Sequence, residues 1–116
     1  MLYVRPSMKH DLPMLSVLSS PAYDNEVNRI LESGMQQREM TELLGKLAMI
    51  SSEISINDQG KLLIPKDLCE RAGLVAEADV VLVGRWDHFE IWNKESFDRA
   101  QEIESRELQS DDLGIL

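Results

Sequence analysis

Side chains capable of acid–base, nucleophilic or metal chemistry are few in this chain and lie far apart. The two histidines, His10 and His88, and the single cysteine, Cys69, match no metal-ligand spacing. No glycine-rich phosphate loop occurs, and the acidic pair Asp111–Asp112 is interpreted as part of a solvated tail rather than as a catalytic dyad. The sequence therefore predicts no enzyme activity, no metal, no cofactor and no small-molecule substrate.

The charge balance restricts the partners that the chain can bind. The formal net charge is −9 over 116 residues, whereas proteins that bind nucleic acids display a basic face because phosphate neutralisation dominates their affinity. Residues 53–93 carry 4 basic and 8 acidic groups. Any nucleic-acid face must therefore be small and local, and an oligomer would have to bring several such faces to one duplex.

Hydropathy and cysteine content favour a cytoplasmic protein with no membrane partner. No apolar run approaches the roughly 20 residues of a membrane-spanning helix, and no secretory leader is recognisable at the start. A single cysteine cannot form an internal disulfide, which suits a reducing compartment.

The chain is organised around residues 53–93, which read as hairpin, short helix, hairpin. Alternating apolar residues at 54 and 56 lead into the turn residues 57–60, and 61–64 returns as a strand that Pro65 ends. Leu68 and Ala72 lie one helical repeat apart, with Gly73 as a C-cap. The apolar run 80–83 predicts a strand covered on both faces, and 89–93 alternates as a second strand after the turn at 84–88.

Two segments of this region resemble a known family. GKLLIPKDLCERAGL (60–74) and VVLVGRWDHFEIWNKESF (80–97) are similar to the C-terminal half of MraZ proteins, bacterial transcriptional regulators of the SpoVT/AbrB swapped-hairpin superfamily. The resemblance implies a mainly β fold with flanking helices (α+β), namely a swapped-hairpin double-split β-barrel. It also implies binding to DNA at the promoter of the protein's own operon, and a nucleoid association.

The resemblance places the DNA contacts at the first hairpin turn. The family signature there is an aspartate, three residues and an arginine, and the corresponding positions are Asn57 and Lys61. An asparagine can still close the turn, and a lysine keeps the positive charge without the planar fork of arginine, so we expect it to contact phosphate as a point charge. Cys69 occupies a position where the family tends to have arginine. Lys66 and Arg71 are the remaining nearby cations and complete the predicted DNA-binding set.

The rest of the chain divides by pattern into four segments. Residues 1–22 are interpreted as a strand ended by Pro6 and a short helix within 7–20, resembling the last strand of a first family copy whose hairpin is absent. Residues 23–52 are predicted to be helical, with Asp24 as N-cap and a kink or break near Gly34. Residues 94–108 are predicted to form a C-terminal helix capped by Asn93, and 109–116 an acidic tail.

One complete swapped-hairpin copy cannot satisfy its own strand edges. We therefore expect a homo-oligomer, at least a dimer. The leading hypothesis is an oligomeric DNA-binding regulator of the MraZ type. The alternative is a divergent barrel that lost DNA binding and serves as a protein-interaction or oligomerisation module, and a third hypothesis is an AbrB-type antitoxin whose acidic tail binds a toxin.

Overall fold

The computed structural model describes residues 1–111, which form one antiparallel sheet flanked by helices. The strand order is β3-β1-β2-β5-β4. The prediction of an α+β protein is confirmed, while the sheet of the described residues is open rather than closed into a barrel. The elements in chain order are β1 (Leu2–Lys9), β2 (Leu12–Ser19), α1 (Ser20–Leu31), α2 (Gln37–Ile50), β3 (Ser52–Ile54), α3 (Lys66–Arg71), β4 (Val80–Arg85), β5 (His88–Asn93) and α4 (Lys94–Asp111).

The helix predicted within residues 7–20 is wrong, because this segment forms most of a β-hairpin. β1 runs through Pro6 to Lys9, and β2 returns after a two-residue turn, His10–Asp11, with φ of 52° and 60°. Positive φ at both turn residues matches the right-handed twist of paired strands. Pro6 is tolerated because β3 pairs only with Leu2–Val4, so that β1 has no second neighbour at the proline.

β2 differs from the predicted helix because it is a central strand covered on both faces. Residues 14–18 are all buried, and such a strand shows a nearly continuous apolar run whose period does not distinguish it from a helix. The helix begins later: Ser19 is the N-cap of α1, since its Oγ accepts a hydrogen bond from Ala22 N at 3.2 Å. The predicted cap at Asp24 is therefore wrong, and Pro21 belongs to the first turn, where it is tolerated.

The hairpin-plus-helix unit occurs twice in the described residues. β1, β2 and α1 follow one another as β4, β5 and α4 do, and β2 pairs with β5 in antiparallel register, with Leu15 opposite Ile91. The N-terminal segment thus resembles a whole hairpin and helix, not only the single final strand that the sequence predicted. An approximate two-fold axis passes between the two central strands.

The sheet carries a hydrophobic cluster on each face. On one face, α3 and the segment around residue 62 cover Val4, Val17 and Ile91; on the other, α4 places Phe97 and Ala100 against Met14 and Trp92. Full burial of these side chains supplies most of the stabilisation of the fold. The first cluster contains Val4, Leu15, Val17, Ile54, Leu68, Ala72 and Ile91, and the second contains Met14, Trp92 and Ala100.

Residues 23–52 contain the break that the sequence predicted. α1 ends at Leu31, Gly34 has a φ of 80°, and α2 begins at Gln37. α1 lies against β1 through the stacked rings of Tyr3 and Tyr23, whose centroids are 4.0 Å apart. This contact anchors the helical hairpin to the sheet.

The C-terminal predictions have a mixed outcome. Asn93 is confirmed as the cap of α4, because its Oδ1 accepts from Ser96 N at 2.7 Å. The helix extends past residue 108 to Asp111, so 109–111 are helical, and residues 112–116 of the predicted acidic tail lie outside the described residues. β4 is not covered on both faces as predicted, because alternate side chains are exposed along it.

Candidate nucleic-acid interface

The predicted DNA-contacting turn is closed by Asn57. Its Oδ1 accepts hydrogen bonds from the backbone N–H of Gln59 (3.0 Å) and of Lys61 (2.9 Å), and its own N–H donates to the carbonyl of Lys61 at 2.9 Å. Gly60 has a φ of 76°, which a residue with a Cβ adopts at a cost. The side-chain amide therefore holds the backbone of the turn and leaves the Lys61 side chain exposed.

The arm after the turn is not the regular strand that the sequence predicted. A single bridge joins Ile56 to Leu62, while Leu62 and Ile64 pack against the core of the sheet. Packing draws this arm onto the sheet, and Pro65 has no N–H to extend the ladder. As a result Leu63 stays 72% exposed.

α3 follows local sequence rules closely. Gly73 N donates to Glu70 O at 3.1 Å and Leu74 N to Cys69 O at 2.8 Å, the hydrogen-bond pair of a Schellman ending. Gly73 has a φ of 70°, as the predicted C-cap role requires. Leu68 and Ala72 are buried in the sheet cluster, so the predicted apolar face is confirmed.

The four predicted DNA-binding residues are all exposed and belong to two elements. Asn57 and Lys61 belong to the same turn, whereas Lys66 and Arg71 lie at the two ends of α3. Five residues of α-helix rotate a side chain by about 140°, so these two side chains leave α3 in different directions. Among the described residues, Lys61, Lys66 and Arg71 have no carboxylate within 4.0 Å.

Cys69 stands at the position where the family tends to have arginine, and its side chain is partly buried. Its Sγ lies 3.9 Å from the carbonyl oxygen of Ile64. Burial, followed by the charges of Asp67 and Glu70, raises the pKa of the thiol. A protonated thiol in this setting contributes packing rather than charge.

Sequence reasoning missed a buried carboxylate beside this module. Glu90 is 3% exposed, and its Oε1 accepts hydrogen bonds from Arg85 Nε (3.1 Å) and Trp92 Nε1 (3.0 Å). Burial raises the pKa of Glu90, but the hydrogen bonds from Trp92 and Arg85 outweigh it and hold the pKa below its ordinary value. The available signal was an acidic residue inside the apolar strand 89–92.

A second carboxylate joins α4 to the hairpins. Glu104 Oε1 lies 3.0 Å from Lys9 Nζ and 3.8 Å from Arg85 Nη2. The hydrogen bond from Lys9 lowers the pKa of Glu104 against a smaller opposing effect of burial. The network thus connects the long C-terminal helix to both strand pairs by charge as well as by packing.

The comparison with protein families places this module. A family model described as "MraZ protein, putative antitoxin-like" matches residues 47–113, more than half of the chain. This chain belongs to the MraZ family. The resemblance predicted from the two sequence segments is confirmed.

Relatives of this MraZ chain share 25–41% of aligned residues with it. A protein of Desulforapulum autotrophicum is 41% identical over 61 residues, covering 53% of this chain and 40% of the relative. One from Mycoplasmopsis pulmonis is 25% identical over 89 residues (77% and 59%), and one from Desulfosudis oleivorans 36% over 63 residues (54% and 42%). Each is named "Transcriptional regulator MraZ". The chain spans about half the length of these curated relatives.

Residues 1–111 contain no group of three or more His, Cys, Asp or Glu side chains arranged to hold a metal ion. No helix among them combines the length and the hydropathy needed to cross a membrane.

Proposed function

We propose that this MraZ chain is a transcriptional regulator that binds DNA as an oligomer through the turn at Asn57–Lys61. The observation that carries the proposal is the closed turn itself, in which Asn57 orders the backbone and Lys61 projects a free ammonium group. The family membership and the names of the relatives support a regulatory role. By the same resemblance, the DNA that the protein binds is the promoter of its own operon. The protein then acts in the cytoplasm and on the nucleoid. No catalytic activity is proposed.

Lys61 contacts a phosphate as a point charge, because an ammonium lacks the paired donors that read a guanine edge. Lys66 and Arg71 add separate phosphate contacts along the backbone. The acidic surroundings weaken the binding of each Asn57–Lys61 turn to DNA. The affinity therefore depends on an oligomer in which several copies contact one duplex. At least two copies are required.

The test is a salt-dependent gel shift on DNA from upstream of the protein's own gene. Lys61→Ala removes one phosphate contact from each copy on the duplex, and should therefore reduce the steepness of log K against log salt by about 0.9 for every bound copy. Lys61→Arg should tighten binding by restoring the planar donor fork. Lys46→Ala, on the exposed surface of α2, is the matched control and should leave the slope unchanged.

The alternative is an interaction module without DNA binding. It is favoured by the exposure of Leu63 and of Ile56 (60%) on the two arms of the turn, since apolar side chains there suit a protein partner better than a phosphate backbone. Absence of binding at low salt, by a protein that is folded and oligomeric, would support this alternative and contradict the DNA-binding proposal.

A further inference from the structure

The turn between β4 and β5 carries a fully exposed tryptophan. Trp86 buries none of its side chain against the described residues, and its φ is 35°. Asparagine, aspartate and glycine are favoured at such a position, because a bulky side chain with positive φ is strained. The turn therefore bears both backbone strain and an exposed apolar ring, and strain of this kind is concentrated at ligand sites.

A cleft of about 830 Å³ lies between this turn and one side of α1. Its volume falls within the range of small-molecule sites. The lining side chains are all exposed and, apart from the indole, polar. Those that the site would use are Asn25, Asn28, Arg29 and Glu32 of α1, and Trp86 and Asp87 of the turn.

The two-fold relation within the sheet explains why the cleft is open. In the other half of the molecule, α4 covers the corresponding turn: Glu104 and Glu107 lie 3.6 Å and 3.8 Å from the two ring nitrogens of His10, whose side chain is 20% exposed. α4 has 18 residues, whereas α1 has 12 and ends at Leu31. The shorter helix leaves the Trp86 turn uncovered.

The cleft does not depend on a free strand edge. β3 pairs with β1 only along Leu2–Val4, at the end of β1 that is remote from its turn. Because the two hairpins are related by the two-fold axis, a strand in the corresponding place beside β4 would lie near Val80. Such a strand would leave the Trp86 turn open.

The side chains around the cleft match the chemistry of a nucleobase. An indole stacks on the face of any base. A carboxamide pairs through one donor and one acceptor with the edge of a base, as asparagine does with adenine, and Asn25 and Asn28 lie about one helical turn apart on α1. Arg29 adds donors for the acceptors of a base. Stacking and edge recognition are thus available in one place.

The charges around the cleft favour a base over a phosphate. The lining residues of the described chain include one cation, Arg29, and two carboxylates, Glu32 and Asp87. Asp87 accepts a hydrogen bond from His88 Nδ1 (2.7 Å), which lowers the pKa of Asp87 against a smaller opposing effect of burial, and the charge of Arg29 lowers it further. Two ionised carboxylates offset the guanidinium, so an anion gains little net attraction.

We propose that the cleft between α1 and the β4–β5 turn binds a nucleobase, stacked on Trp86 and hydrogen-bonded by Asn25 and Asn28. The same base chemistry is supplied by a free nucleotide and by an unpaired base of single-stranded DNA. The site uses no residue of the Asn57–Lys61 turn and goes beyond the duplex binding proposed above.

Tryptophan fluorescence detects occupation of the cleft. Trp86 is exposed and Trp92 is fully buried, so a ligand that stacks at the surface alters the emission of Trp86 alone. Titration with AMP should quench the emission in a saturable way. Ribose 5-phosphate, which has the sugar and the phosphate without the base, should not.

Calorimetric titration of variants with AMP assigns the binding to named side chains. Trp86→Ala should weaken binding about tenfold or more, and Trp86→Phe, which keeps a ring, should retain most of it. Asn28→Ala should weaken it about fivefold through the lost edge contacts. Met49→Ala, at an exposed apolar residue of α2, and Lys61→Ala are the controls and should leave binding unchanged.

A parallel titration with single-stranded oligo(dA) identifies the source of the base. Tighter binding of the oligonucleotide than of AMP, lost in Trp86→Ala, would assign the cleft to an unpaired base of DNA, and the reverse order would assign it to a free nucleotide. Three results would overturn the site: AMP and oligo(dA) both fail to saturate, ribose 5-phosphate binds as well as AMP, or Trp86→Ala binds as the wild type does. Circular dichroism checks that each variant keeps its fold.

Discussion

The carboxylate of Glu90 and the indole of Trp92 are joined by a hydrogen bond of 3.0 Å between two side chains buried on the same face of β5. The indole needs an acceptor because burial removes it from water. Arg85 shares the same carboxylate oxygen, so Glu90 satisfies two donors at once. This unit lies between the second hairpin and α4.

Glu90→Ala should destabilise the protein by about 3 kcal/mol, because it leaves a buried indole N–H and a partly buried guanidinium without their acceptor. Glu90→Gln keeps the shape and one acceptor oxygen and should cost about 1–2 kcal/mol. Urea denaturation measures both. Glu102→Gln, which removes an exposed ion pair with Arg106 on α4, should change stability by less than about 0.5 kcal/mol; an equal loss in that variant would contradict the role given to Glu90.

Acid should weaken the fold through Glu90 and Glu104. Both carboxyls have folded-state pKa values below the ordinary 4.5. Their contribution to stability is therefore fully present above pH 4.5 and is lost as the pH falls through the lower folded values, since the unfolded chain binds the protons first. Urea midpoints between pH 7 and pH 3 measure this loss. The decline should be shallower in Glu90→Gln, and a parallel decline would count against the assignment.

Asn57→Ala should open the DNA-contacting turn. It removes the acceptor for the backbone N–H groups of Gln59 and Lys61, at a cost of about 1 kcal/mol. DNA binding should weaken with it because Lys61 loses its fixed position. Asn57→Asp retains an oxygen in the same place and should keep the stability of the turn. Chemical denaturation and the gel shift together test the prediction, which fails if the alanine and aspartate variants behave alike.

Gly73→Ala should destabilise the chain by about 1–2 kcal/mol. Its φ of 70° disfavours an L side chain, and the added Cβ would lie 2.7 Å from Asn93 Nδ2, the residue that caps α4. Gly45→Ala is the matched comparison: this glycine lies inside α2 with open space around it, so alanine there should stabilise by roughly 0.5–1 kcal/mol. Thermal denaturation of the two variants should therefore show shifts of opposite sign.

Local chemistry within residues 53–93 could be predicted from the sequence because each feature depends on neighbours only a few residues away. Asn57 closes its turn through the N–H groups two and four residues later, and Gly73 ends α3 through hydrogen bonds that reach back three and five residues. Asn93 caps α4 by the same kind of short contact. The family resemblance rests on residues 60–74 and 80–97, which include Gly73 and Asn93.

The features that the sequence did not predict depend on pairing between strands that are distant in the chain. Residues 12–19 became a strand because β1 and β5 lie on either side of them, and their apolar run carries no mark of those neighbours. Likewise, the apolar run of β4 predicted burial on both faces, yet the order of strands left it at an edge with Leu82 uncovered. Sequence determines the hydrogen bonds that close within one turn, and tertiary structure determines which apolar strands are covered, because covering depends on residues distant in the chain.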